Sequence, residues 1–194
     1  MIKKMIVAMI VLTSCLFASG TFVYGNESWY TALQIENINA IRVKGNDIRL
    51  NWIDPNDSSM KPFIHEGSAM LPLRAFGSII PVDGFTYLVE WHEIERKAVL
   101  IESSYRGLIP VAEFWIGSTT AVYYDRDGRN PRRITIPNAP MIVNDRIYIP
   151  LRAAVDALWH HSIEWVPSKQ GIVIYWTIRR PQYVTFPDMS STAF

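Results

Sequence analysis

The sequence predicts an α+β protein of two tandem repeats, each a meandering antiparallel β-sheet of about four or five strands packed on one short helix. The main observation is a duplicated string, because Leu71-Pro72-Leu73-Arg74-Ala75 returns 78 positions later as Ile149-Pro150-Leu151-Arg152-Ala153. Each copy follows an apolar, strand-like run and is followed by a helical pattern, then by Glu-Trp and a β-branched run. A unit that recurs at such a period is typical of one supersecondary module used twice.

The N-terminus resembles a secretory signal. Residues 1–25 carry Lys3 and Lys4 ahead of an apolar tract and contain no acidic residue, and we expect cleavage after Gly25. Two alternatives stay open. Leu12-Thr13-Ser14-Cys15 resembles the lipobox of bacterial lipoproteins, in which Cys15 would be lipidated, and the apolar tract could instead be retained as an anchor. The predicted segments are a signal peptide at 1–25, a lead-in segment at 26–40, repeats at 41–106 and 107–178, and a C-terminal tail at 179–194.

Charge and cysteine content exclude several classes of partner and site. Beyond residue 25 the chain has 17 basic and 18 acidic side chains, a net charge of −1, which predicts neither nucleic-acid binding nor attraction to an anionic membrane surface. We expect membrane contact only through the N-terminal segment, if it is uncleaved or lipidated at Cys15. Cys15 is the only cysteine, so a chain cleaved after Gly25 would have no disulfide and no thiolate site.

Turn residues predict the strands in order. Trp29 and Leu33, in the lead-in segment, fit either a short helix or the approach to a strand. Hairpins are predicted around Gly45-Asn46-Asp47, Glu66-Gly67 and Asn144-Asp145, where turn-forming residues separate apolar runs. In the first hairpin, alternation puts Ile48, Leu50 and Trp52 on one face of the second strand. Residues 177–194 are expected to form a last strand and a loose tail, because Pro181 and Pro187 disfavour regular structure.

A helix is predicted to begin at Pro72 and another at Pro150. Proline suits the first helical turn, because its φ is already helical and its missing N–H would have no partner there. The first helix is expected to stop at Pro81. The strand around Val173 is apolar at both alternations, which predicts burial on both faces, one covered by the helix and the other by the other repeat or by a partner. The apolar helix positions are Leu73, Phe76, Gly77 and Ile80 in the first copy and Leu151, Ala154, Val155 and Leu158 in the second.

The stretch from Pro140 to Arg152, followed by Glu164-Trp165, is similar to the copper amine oxidase N-terminal-like domain family, also called stalk domains. The first copy matches less tightly, through Gly67 to Arg74 and at Val89-Glu90-Trp91. The resemblance implies a small antiparallel sheet wrapped around one helix, in secreted or wall-associated proteins of Gram-positive-type bacteria. It also implies an accessory domain that carries neither the copper nor the quinone cofactor of the amine oxidases.

The sequence contains no recognisable catalytic, cofactor or metal motif. His160 and His161 are adjacent, and adjacent helical residues point about 100° apart, so they are poorly arranged to clamp one metal ion. The string from His92 to Arg96 begins like a zinc-protease helix but lacks the second histidine, which predicts a charged turn. The loop Asp125-Arg126-Asp127-Gly128 begins like a calcium loop but has its glycine too early, which predicts a polar hairpin loop.

Two groups of residues remain as candidate site residues. Arg74 and Arg152 could bind a ligand carboxylate, but we favour a structural contact with neighbouring carbonyls or an acid, and we expect Trp91 and Trp165 in the core. The family-motif residues, all expected to be structural, are Pro72, Leu73, Arg74, Trp91, Pro150, Leu151, Arg152 and Trp165. The candidate surface aromatics for sugar or protein binding are Trp29, Trp115 and Trp159.

These observations predict a secreted, non-catalytic module that is associated with the cell surface or the cell wall. Its expected partners are a cell-wall polymer or another secreted or surface protein, and self-association through sheet edges is also expected. No cofactor is predicted. The alternative is an accessory or hydrolytic extracellular enzyme whose site is assembled from scattered residues that form no motif.

Overall fold

The computed structural model describes residues 29–44, 47–53, 57, 60–80, 85–159, 161–176 and 184–187. The predicted signal, the cleavage site after Gly25, Cys15 and His160 lie outside these residues. Within them no helix is long and apolar enough to cross a membrane. The strands are β1 (Trp29–Gln34), β2 (Asn39–Lys44), β3 (Asp47–Trp52), β4 (Phe63–His65), β5 (Ser68–Pro72), β6 (Phe85–His92), β7 (Lys97–Ser104), β8 (Gly107–Trp115), β9 (Thr120–Tyr123), β10 (Arg132–Thr135), β11 (Met141–Val143), β12 (Arg146–Pro150), β13 (Ser162–Val166) and β14 (Gly171–Tyr175), and the helices are α1 (Ala75–Ile79) and α2 (Leu151–Ala157).

The predicted hairpins are confirmed. Strands β2 and β3 pair antiparallel, as do β4 with β5 and β11 with β12. At the last two turns both central residues have positive φ, 45° and 77° at Glu66-Gly67 and 49° and 58° at Asn144-Asp145. Two consecutive positive φ values match the right-handed twist of the flanking strands, which is why Gly, Asn and Asp are preferred there. The lead-in segment, which the sequence left open, forms strand β1.

A four-stranded central sheet, in the order β11-β12-β5-β4, brings the two duplicated strings side by side. Strands β12 and β5 pair antiparallel, with Ile149 opposite Leu71 and Pro150 opposite Met70. The Leu73 N–H continues the contact by donating to the Ile147 carbonyl at 2.8 Å. Both Pro-Leu-Arg junctions therefore leave this sheet close to its middle.

Two five-stranded sheets flank this arrangement, in the orders β13-β14-β1-β2-β3 and β10-β9-β8-β7-β6. The expectation of one self-contained sheet per repeat is therefore not met, because each sheet combines strands from both sides of the predicted boundary at residue 107. Alternation tells which side chains share a face but not which strand lies alongside. Strand β1 pairs with β14 from Tyr30 opposite Tyr175 to Gln34 opposite Gly171. Every residue of β14 is buried, as its apolar pattern predicted.

The helices begin later than predicted. Pro72 is the last residue of β5, and α1 starts three positions further on, at Ala75. Pro150 is the N-cap of α2, with φ −58° and ψ 117°, and is not in the first turn. The extended ψ lets the proline end a strand of the central sheet while its fixed φ leads directly into the helix. Helix α1 ends at Ile79, just before Pro81.

The predicted apolar helix positions form the centre of the main core. Seven of the eight are buried and Gly77 is half-buried. A Cβ at Gly77 would lie 2.6 Å from the Tyr87 carbonyl oxygen, so α1 approaches β6 more closely than any side chain would allow. Two buried hydroxyls tie the helices to the outer sheets, because Thr31 donates to the Ile79 carbonyl and Tyr123 to the Ala153 carbonyl. Each helix is thus hydrogen-bonded to a different five-stranded sheet.

Residues 184–187 pack against the sheet, so this part of the predicted tail is not loose. The Thr185 N–H donates to the Tyr30 hydroxyl at 3.0 Å. Phe186 lies on Gly171, where a Cβ would approach the phenyl ring to 2.2 Å. Val184 and Phe186 cover a second apolar cluster that includes Tyr30 and Val173.

Candidate functional site

Two surface grooves of similar size lie beside the Pro-Leu-Arg junctions. The first, of about 540 Å³, is bordered by Pro150-Leu151-Arg152, by β13 and by the β4–β5 hairpin, and we call it the Arg152 groove. The second, of about 590 Å³, is bordered by Pro72-Leu73-Arg74, by β6 and by the β11–β12 hairpin, and we call it the Arg74 groove. In each groove the hairpin comes from the half of the chain opposite to the junction, because the central sheet joins the two halves.

The Pro-Leu-Arg string divides its side chains between core and surface. The two prolines are buried, and Leu73 and Leu151 are each 1% exposed. The next residues, Arg74 and Arg152, are exposed. Consecutive residues at the start of a helix point in different directions, so one can enter the core while its neighbour reaches the groove rim. Each groove therefore has a guanidinium at its edge.

The structural contact that we favoured for these arginines is largely absent. Within the described residues, the side chains of Arg74 and Arg152 make no hydrogen bond and no ion pair closer than 4 Å. The charge of Arg152 does act on Asp156, one helical turn away. Partial burial raises the pKa of the Asp156 carboxyl, and the Arg152 charge opposes that rise. Both guanidinium groups thus remain available to a ligand carboxylate.

Trp91 and Trp165 line the grooves, so the expectation that they lie in the core is wrong for Trp165 and only partly right for Trp91. Trp165 is 42% exposed. Trp91 is half-buried, and its indole N–H donates to the Glu93 carboxylate. Both lie on strands, β13 and β6, that are terminal in the five-stranded sheets formed by the described residues. The sequence shows strand alternation but not strand order, so it could not have identified these rings as surface residues.

The three candidate surface aromatics lie outside both grooves. Trp29 is half-buried, packs edge-to-face on Trp176 with ring centroids 6.5 Å apart, and has the Lys44 ammonium 4.7 Å from its ring. Trp115 is half-buried under Lys97, whose ammonium lies 5.6 Å from the ring. Trp159, just beyond α2, is the most exposed of the three, at 37%. Two of the three are therefore already in contact with a lysine, as cation–π pairs.

Polar side chains differ between the grooves. In the Arg152 groove the two other polar residues are engaged, because Glu164 accepts from the Tyr175 hydroxyl at 3.0 Å and Ser68 donates to Asn138 at 3.3 Å. In the Arg74 groove the rim carries further charges, Glu93, Arg96, Asp145 and Arg146. The Arg152 groove is therefore mainly apolar with one cation, whereas the Arg74 groove has a mixed charged rim.

Two motifs that resembled metal sites, the string from His92 to Arg96 and the loop from Asp125 to Gly128, lie at turns. Asp125 accepts the backbone N–H groups of Asp127 and Arg129, and the second of these is the main reason that the pKa of its carboxyl is lowered. Residues 93–96 form the charged turn predicted between β6 and β7. Nowhere in the described ranges do three or more His, Cys, Asp or Glu side chains cluster as a metal site would require.

An exposed apolar strand edge lies far along one outer sheet. Strand β3 is terminal in its sheet, and Ile48 and Leu50 of its predicted apolar face are 60% and 52% exposed. The terminal strand β10 of the other sheet instead exposes Arg132 and Arg133. Charged edges resist pairing with other chains and apolar ones favour it. Self-association through sheet edges stays a prediction, with β3 as the edge concerned.

Residues 52–174 match the family model of the copper amine oxidase N-terminal domain. The matched range includes both grooves and both Pro-Leu-Arg junctions. No curated protein and no solved structure matches the chain.

Proposed function

Because the chain belongs to the copper amine oxidase N-terminal domain family, whose domain is non-catalytic and stalk-like, we propose that it is a secreted binding module of the cell surface or cell wall. It acts by contact and without copper or quinone chemistry. Its partner is a cell-wall polymer or another secreted or surface protein. Secretion rests on the signal-like pattern of residues 1–25, with Lys3 and Lys4 before an apolar tract.

The observation that carries this proposal is the pair of grooves, each with an exposed arginine and a tryptophan that is not fully buried. Tryptophan and arginine are the residues most enriched at the energetic centres of binding sites, because they combine large contact area with hydrogen-bond donors. Partly buried apolar side chains border each groove, and Ile64 and Ile142 at the two rims are 49% and 43% exposed. Contiguous apolar surface beside a cation is typical of an interaction site.

The duplication belongs to the same proposal. The first seven strands correspond in order to the last seven, so that β1 corresponds to β8 and β7 to β14. When each strand is replaced by its counterpart, the order β13-β14-β1-β2-β3 becomes β6-β7-β8-β9-β10, and the central sheet keeps the same four strands in reversed order. This correspondence supports two copies of one unit that share strands, with one groove for each copy. A module with two grooves can hold two ligands, or two sites of one extended ligand, and so gain affinity through multivalency.

Capture experiments with the purified protein, expressed from the full chain, test the proposal. Purified cell walls and the secreted proteins of the producing cell serve as the two baits. We expect saturable binding to one of them, weakened by Trp165→Ala or Trp91→Ala. Trp159→Ala, which removes an exposed tryptophan outside the grooves, is the matched control and should bind as the wild type does.

Folding of each variant is checked by circular dichroism before binding is compared. Failure of the wild-type protein to bind either bait would contradict the binding-module function. Binding that is unchanged in both groove variants would show that the grooves are not the contact surface.

A further inference from the structure

The Arg152 groove is bordered by the free edge of a β-strand. Three consecutive residues of β13, Ile163, Glu164 and Trp165, line it. Because alternate side chains of a strand point to opposite faces, lining by three consecutive residues brings the backbone of β13 as well as its side chains to the groove. Among the described residues, β13 is terminal in its sheet and pairs with β14 alone. The Arg74 groove is lined by another terminal strand, β6, through the alternate residues Val89 and Trp91, so it is mainly side chains of one face that border it.

The free edge determines which kind of ligand backbone fits. Unpaired N–H and C=O groups along a terminal strand are a template for another extended chain, which adds to the sheet by main-chain hydrogen bonds. In the wall opposite β13 lie Ile64, which is 49% exposed, and Ala69 of the β4–β5 hairpin. An added strand would therefore direct alternate side chains onto an apolar wall.

Among its described lining residues the groove has few polar side chains. Glu164 and Ser68 already have partners in Tyr175 and Asn138. Arg152 is the lining side chain whose charge, at the rim, has no ion-pair partner within 4 Å among the described residues. A sugar ring needs partners for several hydroxyls, and burying them without partners costs about 1–3 kcal/mol each. A peptide with one carboxylate and one apolar side chain matches this set of groups with little loss.

We propose, building on the binding function above, that the Arg152 groove binds an extended peptide segment of a protein partner. The segment adds to β13 as a sixth strand of its sheet. An acidic side chain or terminal carboxylate of the peptide pairs with the Arg152 guanidinium, and an apolar side chain contacts Trp165 and Ile64. Pairing of a carboxylate with a guanidinium fixes the register of the added strand, because the two planar groups match in geometry.

Selection from a random peptide library of about nine residues, long enough for one strand, tests the proposal on the full-chain protein. We expect enrichment of peptides with an acidic residue close to an aliphatic or aromatic one. The selected peptide is then synthesised with a fluorescent label, and its Kd is measured by anisotropy. Arg152→Glu should raise the Kd by about tenfold or more, because it replaces attraction by repulsion.

Arg74→Glu is the matched control, since it makes the same charge change at the equivalent position of the other groove. It should change the Kd less than about twofold. Exchanging the acidic residue of the peptide for lysine should restore binding to Arg152→Glu. Both arginines are exposed, so both variants are expected to fold, which circular dichroism checks.

Methylation of alternate peptide amides tests strand addition separately. Only every second N–H of an added strand faces β13, so one of the two alternating N-methylated peptides should lose binding and the other should keep it. Equal effects of the two peptides, or equal effects of Arg152→Glu and Arg74→Glu, would overturn the proposal.

An absence of any enriched peptide would also overturn it, and the broader function would still be decided by the capture experiments. A different result would be that the protein binds purified wall glycan, loses this binding in Trp165→Ala, and binds no peptide. The peptide proposal would then be wrong, and the broader proposal of a binding module would stand with a glycan as its ligand.

Discussion

Helices α1 and α2 follow the same Pro-Leu-Arg string but fill the core in different ways. At two equivalent positions, 78 residues apart, α1 has Phe76 and Gly77 where α2 has Ala154 and Val155. Phe76, Ala154 and Val155 are fully buried. In α1 a phenyl ring is followed by a glycine, which has no side chain, whereas α2 has a methyl group and an isopropyl group at the same two positions. A shared junction can therefore carry two helices that fill the core with side chains of different size.

The same contrast extends to the grooves. Beyond its tryptophan, β6 continues into the charged turn at residues 93–96, whereas β13 continues into a single 3-10 turn at Pro167–Lys169. The charged turn adds Glu93 and Arg96 to the rim of the Arg74 groove. The Arg152 groove has no such addition, and the edge of β13 borders it. The residues that follow the equivalent strands β6 and β13 thus give the two grooves different numbers of charged side chains.

The largest effect is expected from Phe76→Ala. This change removes a fully buried aromatic ring from the main core and should lower the free energy of unfolding by about 3–5 kcal/mol. Val155→Ala, which truncates a fully buried side chain of α2, is the matched control and should cost about 2 kcal/mol. Urea denaturation measures both values. If Phe76→Ala costs no more than Val155→Ala, the two helices do not divide the core as described.

A smaller effect, of opposite sign to the usual one, is expected from Gly77→Ala. In an exposed helix interior this change stabilises by about 1 kcal/mol, because alanine is the better helix former. Here the new methyl group would meet the Tyr87 carbonyl oxygen at 2.6 Å, so we expect a loss of about 1–3 kcal/mol from forced movement of α1. Thermal denaturation is sufficient to give the sign. A rise in Tm would mean that α1 can move away from β6 without loss.

Turn chemistry and local periodicity made most of the strands predictable from sequence. Glu66-Gly67 and Asn144-Asp145 identified two hairpins because two consecutive positive φ values favour few residue types. The buried helix positions were also predictable, although Pro72 and Pro150 proved to lie before the helices. That error has a local cause, since a fixed φ suits both the end of a strand and the approach to a helix.

The grooves were not predictable, because they depend on which strands are neighbours. Trp165 follows a glutamate in an apolar run and has the pattern of a core residue, yet it lies on a terminal strand and is 42% exposed. Its exposure follows from the pairing of β14 with β1, two strands that are far apart in the sequence. Periodicity predicts which side chains share a face of a strand, and turn residues predict which consecutive strands pair. Neither predicts the pairing of strands that are far apart in the sequence. Groove-lining residues can be recognised only once strand order is known.

Effects of similar or smaller size are expected at the two hydroxyls that bond to the helices, and they extend the comparison of α1 with α2. Thr31 donates to the carbonyl of Ile79, the last residue of α1, which has no partner within its own helix. Tyr123 donates to the carbonyl of Ala153, which lies early enough in α2 to accept the N–H of Ala157 as well. Thr31→Val should therefore leave a buried carbonyl without a partner and cost about 1–3 kcal/mol, whereas Tyr123→Phe should cost about 0.5–1 kcal/mol.

Urea denaturation of the two variants measures this difference, and hydrogen exchange of the helix amides locates it. Each substitution nearly conserves side-chain shape, so a change in core packing contributes little. Equal losses in the two variants would mean that the Ile79 carbonyl finds another donor once Thr31 is changed. A larger loss in Thr31→Val, with faster exchange in α1 alone, would mean that the shorter helix depends on its sheet for a hydrogen bond that the longer helix makes for itself.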